Sequence, residues 1–198
     1  MKILKRPAPI NVEIPLDPKK TIMSKTDPKG IIEYANDYFM EISGYEEHEL
    51  IGQPHNVIRH PDMPKVVFKW LWERLGEKKN MHAVVKNLAK DGRFYWVITD
   101  FEVKLDDTGE ASSYFARRKA PPKKTIDLVS ELYRKILSIE EARGVEVAEK
   151  YLIGFLEEKG MTYDEYIESI CFTEEKKPLD MKDLQYHKRK GLFVRMFK

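Results

Sequence analysis

Apolar and polar residues alternate along the first part of the chain in a way that predicts strands and short helices. The segments "KTIMSKTD" and "IIEYAN" have the composition of strands, and "DPKG" between them has that of a turn, so a hairpin is predicted. From Asn36 the apolar positions repeat at helical spacing until Gly44, a residue suited to a helix C-terminus. A further helical turn is predicted up to Gly52.

Three more strands are predicted between residues 81 and 119. They are rich in β-branched and aromatic residues, and turn sequences separate them, the first of which contains the hairpin dipeptide Asp-Gly. Their sequences are "MHAVVKNLAK", "RFYWVITDFEVKL" and "ASSYFARRK". Residues 20–119 are therefore predicted to form an α+β domain, with a hairpin, several short helices, one longer helix and a three-stranded meander.

The periodicity changes after this domain. Two adjacent prolines in "KAPPKK" interrupt both strand and helix, so residues 120–124 are predicted to be a linker. Three segments with one apolar helical face follow, and residues 125–175 are predicted to be a helical extension. The third of these segments begins at Thr162, with Glu165 three residues later, which is the pattern of a capping box.

The two ends of the chain show neither the periodicity of a helix nor that of a strand. Residues 1–19 contain four prolines and are predicted to be an extended N-terminal arm. Residues 176–198 are predicted to be a basic tail, because the last 18 residues carry six Lys and Arg against one Asp. Such a tail either docks on an acidic protein or anionic lipid surface, or is simply solvated.

Composition and charge exclude several classes of protein. The chain has 198 residues, 42% hydrophobic and 34% charged, with a formal net charge of +2, so it is globular and is not expected to bind nucleic acid. One cysteine, Cys171, excludes an internal disulfide framework and a cysteine-rich metal site. The longest run without Asp, Glu, Lys or Arg is nine residues, against about 20 needed to cross a bilayer. We therefore expect a cytoplasmic protein with no membrane span of its own.

No known catalytic pattern is present. The sequence lacks a glycine-rich phosphate loop, a zinc-protease motif and a nucleophile elbow, so we do not expect an enzyme.

One stretch is unusual, "IRHPDMPKVVFKWLWERL" at 58–75, where a polar triplet beside prolines leads into a helix with two tryptophans. Together with "TDPKGIIEYANDYFMEISGY" and "VVKNLAKDGRFYWV" it resembles a PAS domain, more narrowly the sensor of the bacterial aerotaxis (energy-taxis) receptor, from about residue 20 to 118. This resemblance covers about half of the chain. It implies a PAS fold, a five-stranded antiparallel sheet with flanking short helices, around a pocket that holds FAD non-covalently as a redox-sensing group.

The resemblance also implies which residues surround the cofactor. The matching positions are Asn36, Arg59, His60, Asp62, Trp72 and Asn87. The chemistry of three of them suits a flavin: Arg59 offers a fork of donors for the pyrophosphate, Trp72 an aromatic face, and Asn87 both a donor and an acceptor. Trp70 and Trp72 lie about 200° apart on a helix, so only one of them can face the pocket.

Each of these residues also has an ordinary structural interpretation. Arg59 and Asp62 could form a surface ion pair worth about 0–1 kcal/mol, and Asn87 could bond to backbone. His60 is either a loop histidine or the axial ligand of a haem, for which His82 is the second candidate. FAD is thus the expected cofactor, and haem is the alternative.

The sequence therefore predicts a PAS sensor of redox or oxygen status that binds FAD and signals in trans to a membrane chemoreceptor or similar transducer. A haem gas sensor and a cofactor-free PAS interaction module are the alternatives. By analogy with other PAS domains, the N-terminal arm is expected to support a homodimer. The adduct chemistry of flavin photoreceptors is excluded, because no cysteine lies between residues 20 and 118.

Overall fold

The structure is a computed structural model that describes residues 4–171. The predicted basic tail, residues 176–198, and the end of the predicted helical extension lie outside these residues. No helix within residues 4–171 is both long enough and apolar enough to cross a bilayer.

Five antiparallel strands form one sheet in the order β2-β1-β5-β4-β3. The strands are β1 (Ile22–Thr26), β2 (Ile32–Ala35), β3 (Met81–Leu88), β4 (Phe94–Leu105) and β5 (Ala111–Lys119). The predicted hairpin is β1–β2 and the predicted meander is β3–β4–β5. They join where β1 pairs with β5, with Ser24 opposite Ala116.

Short helices connect β2 to β3 and cover one face of the sheet. They are α1 (Asp37–Ser43), α2 (Glu47–Leu50), a 3-10 helix (His55–Ile58) and α3 (Lys65–Gly76). The ends of α1 follow from local sequence: Asn36 accepts the N–H of Phe39 at 3.1 Å, and Gly44 closes the helix with a φ of 72°. Phe39, Leu50, Val66 and Val67 are buried in the core.

Three longer helices follow, α4 (Lys123–Arg143), α5 (Val145–Lys159) and α6 (Tyr163–Cys171), which we call the C-terminal unit. The predicted capping box is confirmed, since Thr162 N–H donates to Glu165 at 2.7 Å and Glu165 N–H donates to Thr162 Oγ1 at 3.3 Å. The unit packs on the edge strand β3, where the buried Tyr133 hydroxyl donates to the carbonyl of Val84 at 2.8 Å.

The start of α4 corrects one prediction. The helix begins at Lys123, inside the segment 120–124 that we predicted to be a linker. Pro122 stands at its N-cap with a φ of −57°, and proline is compatible with a helix start because the N–H it lacks would have no partner there.

The N-terminal arm lies along its own domain. Ile10 N–H donates to the carbonyl of Gly92 at 2.7 Å, and Ile14 N–H donates to the carbonyl of Phe94 at 2.7 Å. The approach is so close that a Cβ on Gly92 would lie 2.5 Å from the carbonyl oxygen of Ala8. The arm therefore adds backbone pairing at the turn between β3 and β4.

Candidate functional site

A cavity of about 230 Å³ lies between the sheet, the 3-10 helix and α3. The strands β1, β3, β4 and β5 supply its floor, and α3 supplies an apolar wall of Phe68, Leu71, Trp72 and Leu75. Small-molecule pockets usually measure roughly 300–1,000 Å³, so this one is small. It suits a flat ring system better than an extended ligand.

The floor of the cavity contains a buried cation. Arg118 is 3% exposed and donates to Ser24 Oγ and to His55 Nε2, both at 2.9 Å. No Asp or Glu of residues 4–171 forms an ion pair with it. Burial lowers the pKa of this guanidinium to about 10, so it stays charged at neutral pH. A buried positive charge without a carboxylate is costly, and an anionic or electron-rich ligand would offset that cost.

His55 is held neutral beside Arg118. Burial, and then the Arg118 charge, lower the pKa of its imidazole to about 3. Because a guanidinium only donates hydrogen bonds, Nε2 of His55 must accept from Arg118, and the ring proton sits on Nδ1. The ring also stacks on Phe39, with centroids 5.8 Å apart.

Polar atoms without partners point to the same cavity. The amide Nδ2 of Asn87 and the hydroxyl of Thr99 are buried and make no hydrogen bond of normal geometry within residues 4–171, although the Asn87 amide interacts with the Tyr95 hydroxyl, and both residues line the cavity. Each buried polar group left unpaired costs about 1–3 kcal/mol. The floor therefore offers unused hydrogen-bonding groups next to a positive charge.

Arg59, Lys29 and Trp72 lie at the outer end of the cavity. The Arg59 guanidinium stands 4.1 Å from the ring centroid of Phe68 and is half-buried. The Trp72 indole is 45% exposed and contacts the turn between β1 and β2, where a Cβ on Gly30 would lie 2.7 Å from its ring.

Comparison with known families identifies the fold. The family model described as "PAS fold" matches residues 32–115. This segment has the PAS fold. The predicted PAS fold, with its five-stranded antiparallel sheet and flanking helices, is thereby confirmed.

Several proteins of known name contain a segment similar to this one. The aerotaxis receptor of Escherichia coli K12 is 40% identical over 122 residues, which cover 62% of this chain and 24% of the receptor. The bacterioopsin transcriptional activator of Halobacterium salinarum is 31% identical over 48% of this chain and 14% of its own length. The biofilm dispersion protein BdlA of Pseudomonas aeruginosa is 27% identical over 42% of this chain and 20% of its own length. The chain thus spans about a quarter or less of these relatives, and the predicted resemblance to the aerotaxis receptor is confirmed.

Solved structures support the fold alone. A light-oxygen-voltage domain studied with a flavin analogue matches with a TM-score of 0.52 at 18% identity, over 57% of this chain and 85% of that one. The light state of the blue-light photoreceptor Aureochrome1 LOV matches with a TM-score of 0.50 at 19% identity. The match covers 56% of this chain and 88% of that one.

The PAS domain brings three of the six predicted site residues to the cavity. Arg59, Trp72 and Asn87 line it. The two tryptophans face opposite ways, as their spacing predicts, because Trp70 donates to Glu149 of α5 at 2.7 Å.

The other three residues lie outside the cavity lining. Asn36 uses its amide locally: Oδ1 accepts from the N–H groups of Met23 and Phe39, and Nδ2 donates to the carbonyl of Thr21. His60 is buried and accepts the N–H of Asp62 at 3.1 Å. Burial, followed by the charge of Lys86, lowers the pKa of this imidazole to about 4.

Two alternatives from the sequence find no support in these contacts. Arg59 and Asp62 do not pair, because the exposed Asp62 carboxylate contacts Lys86 at 2.6 Å. For haem, neither His60 nor His82 lines the cavity. His55 does line it, but its Nε2 already accepts from Arg118.

Sequence reasoning missed Arg118, His55 and Thr99. A signal for two of them existed in the strands, where inward positions alternate with outward ones. Thr99 pairs directly with Arg118 across β4 and β5, and both interrupt otherwise apolar inward positions. Polar residues at such positions indicate a lined cavity, since an ordinary core would exclude them.

Proposed function

We propose that this PAS domain is a redox sensor that binds FAD, with the flat ring of the cofactor in the cavity. The observation that carries the proposal is the buried Arg118 guanidinium, which has no carboxylate partner among residues 4–171 and lines the same cavity as Asn87, whose buried amide makes no hydrogen bond of normal geometry. FAD would supply reversible electron exchange. A ring edge rich in carbonyl and nitrogen acceptors would satisfy both side chains.

Different residues of the chain would bind different parts of FAD. The apolar wall of α3 excludes water from one face of the ring, and Trp72 covers its outer end. Arg59 and Lys29 supply positive charge at that end, where a pyrophosphate would leave the cavity. Arg118 fixes a positive charge at the inner end, which favours a more negative ligand state, and Asn87 can donate or accept as protonation there changes.

The proposed partner is a membrane chemoreceptor or similar transducer, to which the protein signals in trans. Support for this partner is the similarity to the aerotaxis receptor, over a segment that covers only 24% of that receptor. The sequence supplies no catalytic motif that would suggest a different output.

The experiment is a visible absorption spectrum of the freshly purified protein, with and without added FAD and with and without dithionite. We expect the paired bands of a flavin, bleached by dithionite, and one FAD released per chain on heating. A Soret band would identify a haem protein instead. Protein that stays colourless after incubation with FAD would contradict the proposal, and a specific partner captured by such protein would favour a cofactor-free interaction module.

A further inference from the structure

Helix α3 has no N-cap side chain of its own. Pro64 precedes it and offers no acceptor, so the free N–H groups of the first turn need partners from elsewhere. Glu140 of α4 supplies them, and its two carboxylate oxygens accept the N–H groups of Lys65 at 2.9 Å and Val66 at 2.8 Å. Glu140 is buried at this contact, where the positive end of the helix dipole favours its charge. A distant residue of the C-terminal unit therefore caps α3.

The other two helices of the C-terminal unit bind α3 further along. Glu149 of α5 accepts from the indole Nε1 of Trp70 at 2.7 Å. Asp164 of α6 accepts from the guanidinium of Arg74 at 2.8 Å. Each helix of the unit thus contributes one carboxylate. We call these three groups the carboxylate clamp: Glu140, Glu149 and Asp164.

The clamp holds the face of α3 that points away from the cavity. Its side-chain partners Trp70 and Arg74 are four residues apart and lie on one stripe of the helix, while Glu140 binds the backbone N–H groups of the first turn. The cavity wall lies on the other side, and at about 100° per residue its centre is about 130° from the centre of that stripe. Helix α3 therefore lies between the cavity and the C-terminal unit, so a ligand that moves the wall also moves the clamp partners.

We propose that the C-terminal unit reads the state of the cavity through α3, with the carboxylate clamp as the contact that responds. The inference rests on the proposed function for the identity of the ligand, FAD. Hydrogen bonds to charged carboxylates depend steeply on distance and angle, so a small shift of α3 changes all three contacts together. Coupling between two sites is reciprocal, and weakening the clamp must therefore also change the affinity for FAD.

The first experiment measures amide hydrogen exchange in three states of the wild-type protein. These are the oxidised FAD-bound protein, the FAD-bound protein reduced with dithionite, and the FAD-free protein. The amides of Lys65 and Val66 report the clamp directly, because Glu140 accepts from them. We expect their exchange to differ by about fivefold or more between at least two of the three states, the lower end of ordinary coupling between sites. Equal exchange in all three states of a protein that does bind FAD would overturn the inference and leave the proposed function standing.

The second experiment compares Glu140→Gln with Glu141→Gln, an exposed neighbour on the same helix. We expect Glu140→Gln to change the affinity for FAD by about fivefold or more, and Glu141→Gln to leave it unchanged. Glu149→Gln, at the less buried part of the clamp, gives the same comparison if Glu140→Gln does not fold. Equal FAD affinity in the clamp variants and the control would refute the coupling, whereas a colourless wild-type protein would refute the proposed function itself.

Discussion

Replacing Arg118 with methionine tests both the stability of the cavity and its ligand chemistry, because only the ligand chemistry should change strongly. The substitution removes a buried charge and keeps most of the apolar length of the side chain. Ser24 and His55 do not lose all their partners, since Ser24 Oγ already lies 3.1 Å from His55 Nε2 and can donate to it. The variant therefore leaves little unsatisfied in the floor of the cavity.

The magnitude follows from the pKa of Arg118. Burial lowers it to about 10, and at 1.36 kcal/mol per pKa unit the charged side chain costs the folded state about 3 kcal/mol at neutral pH. The two hydrogen bonds lost have a charged donor, so at about 1.5 kcal/mol or more each they return about 3 kcal/mol or more. Arg118→Met is thus expected to leave the free energy of unfolding of the FAD-free protein within about 1 kcal/mol of the wild-type value. The cost of the charge shrinks as the pH rises through 10, because the folded-state pKa lies below the unfolded value.

The same substitution should weaken FAD binding by about 10- to 100-fold, since a hydrogen bond to a charged group contributes about 1.5–3 kcal/mol. Urea unfolding of the FAD-free protein measures the first effect, and titration of flavin fluorescence measures the second. Arg117→Met is the matched control: Arg117 lies on the other face of the same strand and pairs with Asp100 at 2.7 Å. We expect it to lose stability and keep its FAD affinity. An Arg118→Met protein that loses several kcal/mol of stability without FAD and binds FAD as the wild type does would refute the reasoning.

Two further substitutions test the outer end of the cavity and its pH response. Gly30→Ala should destabilise the fold by about 1–2 kcal/mol more than Gly109→Ala, as measured by urea unfolding. Both glycines have a φ of 80°, but only a Cβ at Gly30 would collide with the Trp72 indole. Equal losses of stability would show that the indole moves away freely. His55 has a folded-state pKa of about 3 against 6.5 when unfolded, so its contribution to stability is complete above pH 6.5 and falls by about 1.4 kcal/mol per unit below it. His55→Gln should therefore remove about 2 kcal/mol of the stability lost between pH 6.5 and 5, measured by urea unfolding at the two pH values.

Local elements followed from short stretches of sequence, because their causes are local. Asn36 and Gly44 bound α1 as predicted, and Thr162 with Glu165 starts α6 as predicted. Helix α4 starts two residues before its predicted start, because Pro122 occupies the N-cap and does not interrupt the helix that follows. Spacing alone also established that the two tryptophans of α3 face opposite ways, although it did not say which one lines the cavity.

The sequence by itself determined the strands, the helices, their order and the family resemblance, because periodicity and turn chemistry act over a few residues. Only the tertiary structure decided which polar side chains share the cavity. Arg117 and Arg118 are adjacent and chemically identical, yet one pairs with Asp100 on the outer face and the other is buried beside His55. That difference depends on the pairing of β5 with β1 and β4 and on the helices that cover one face. Alternation along β5 puts the two arginines on opposite faces, but the side chains that each of them contacts come from distant parts of the chain.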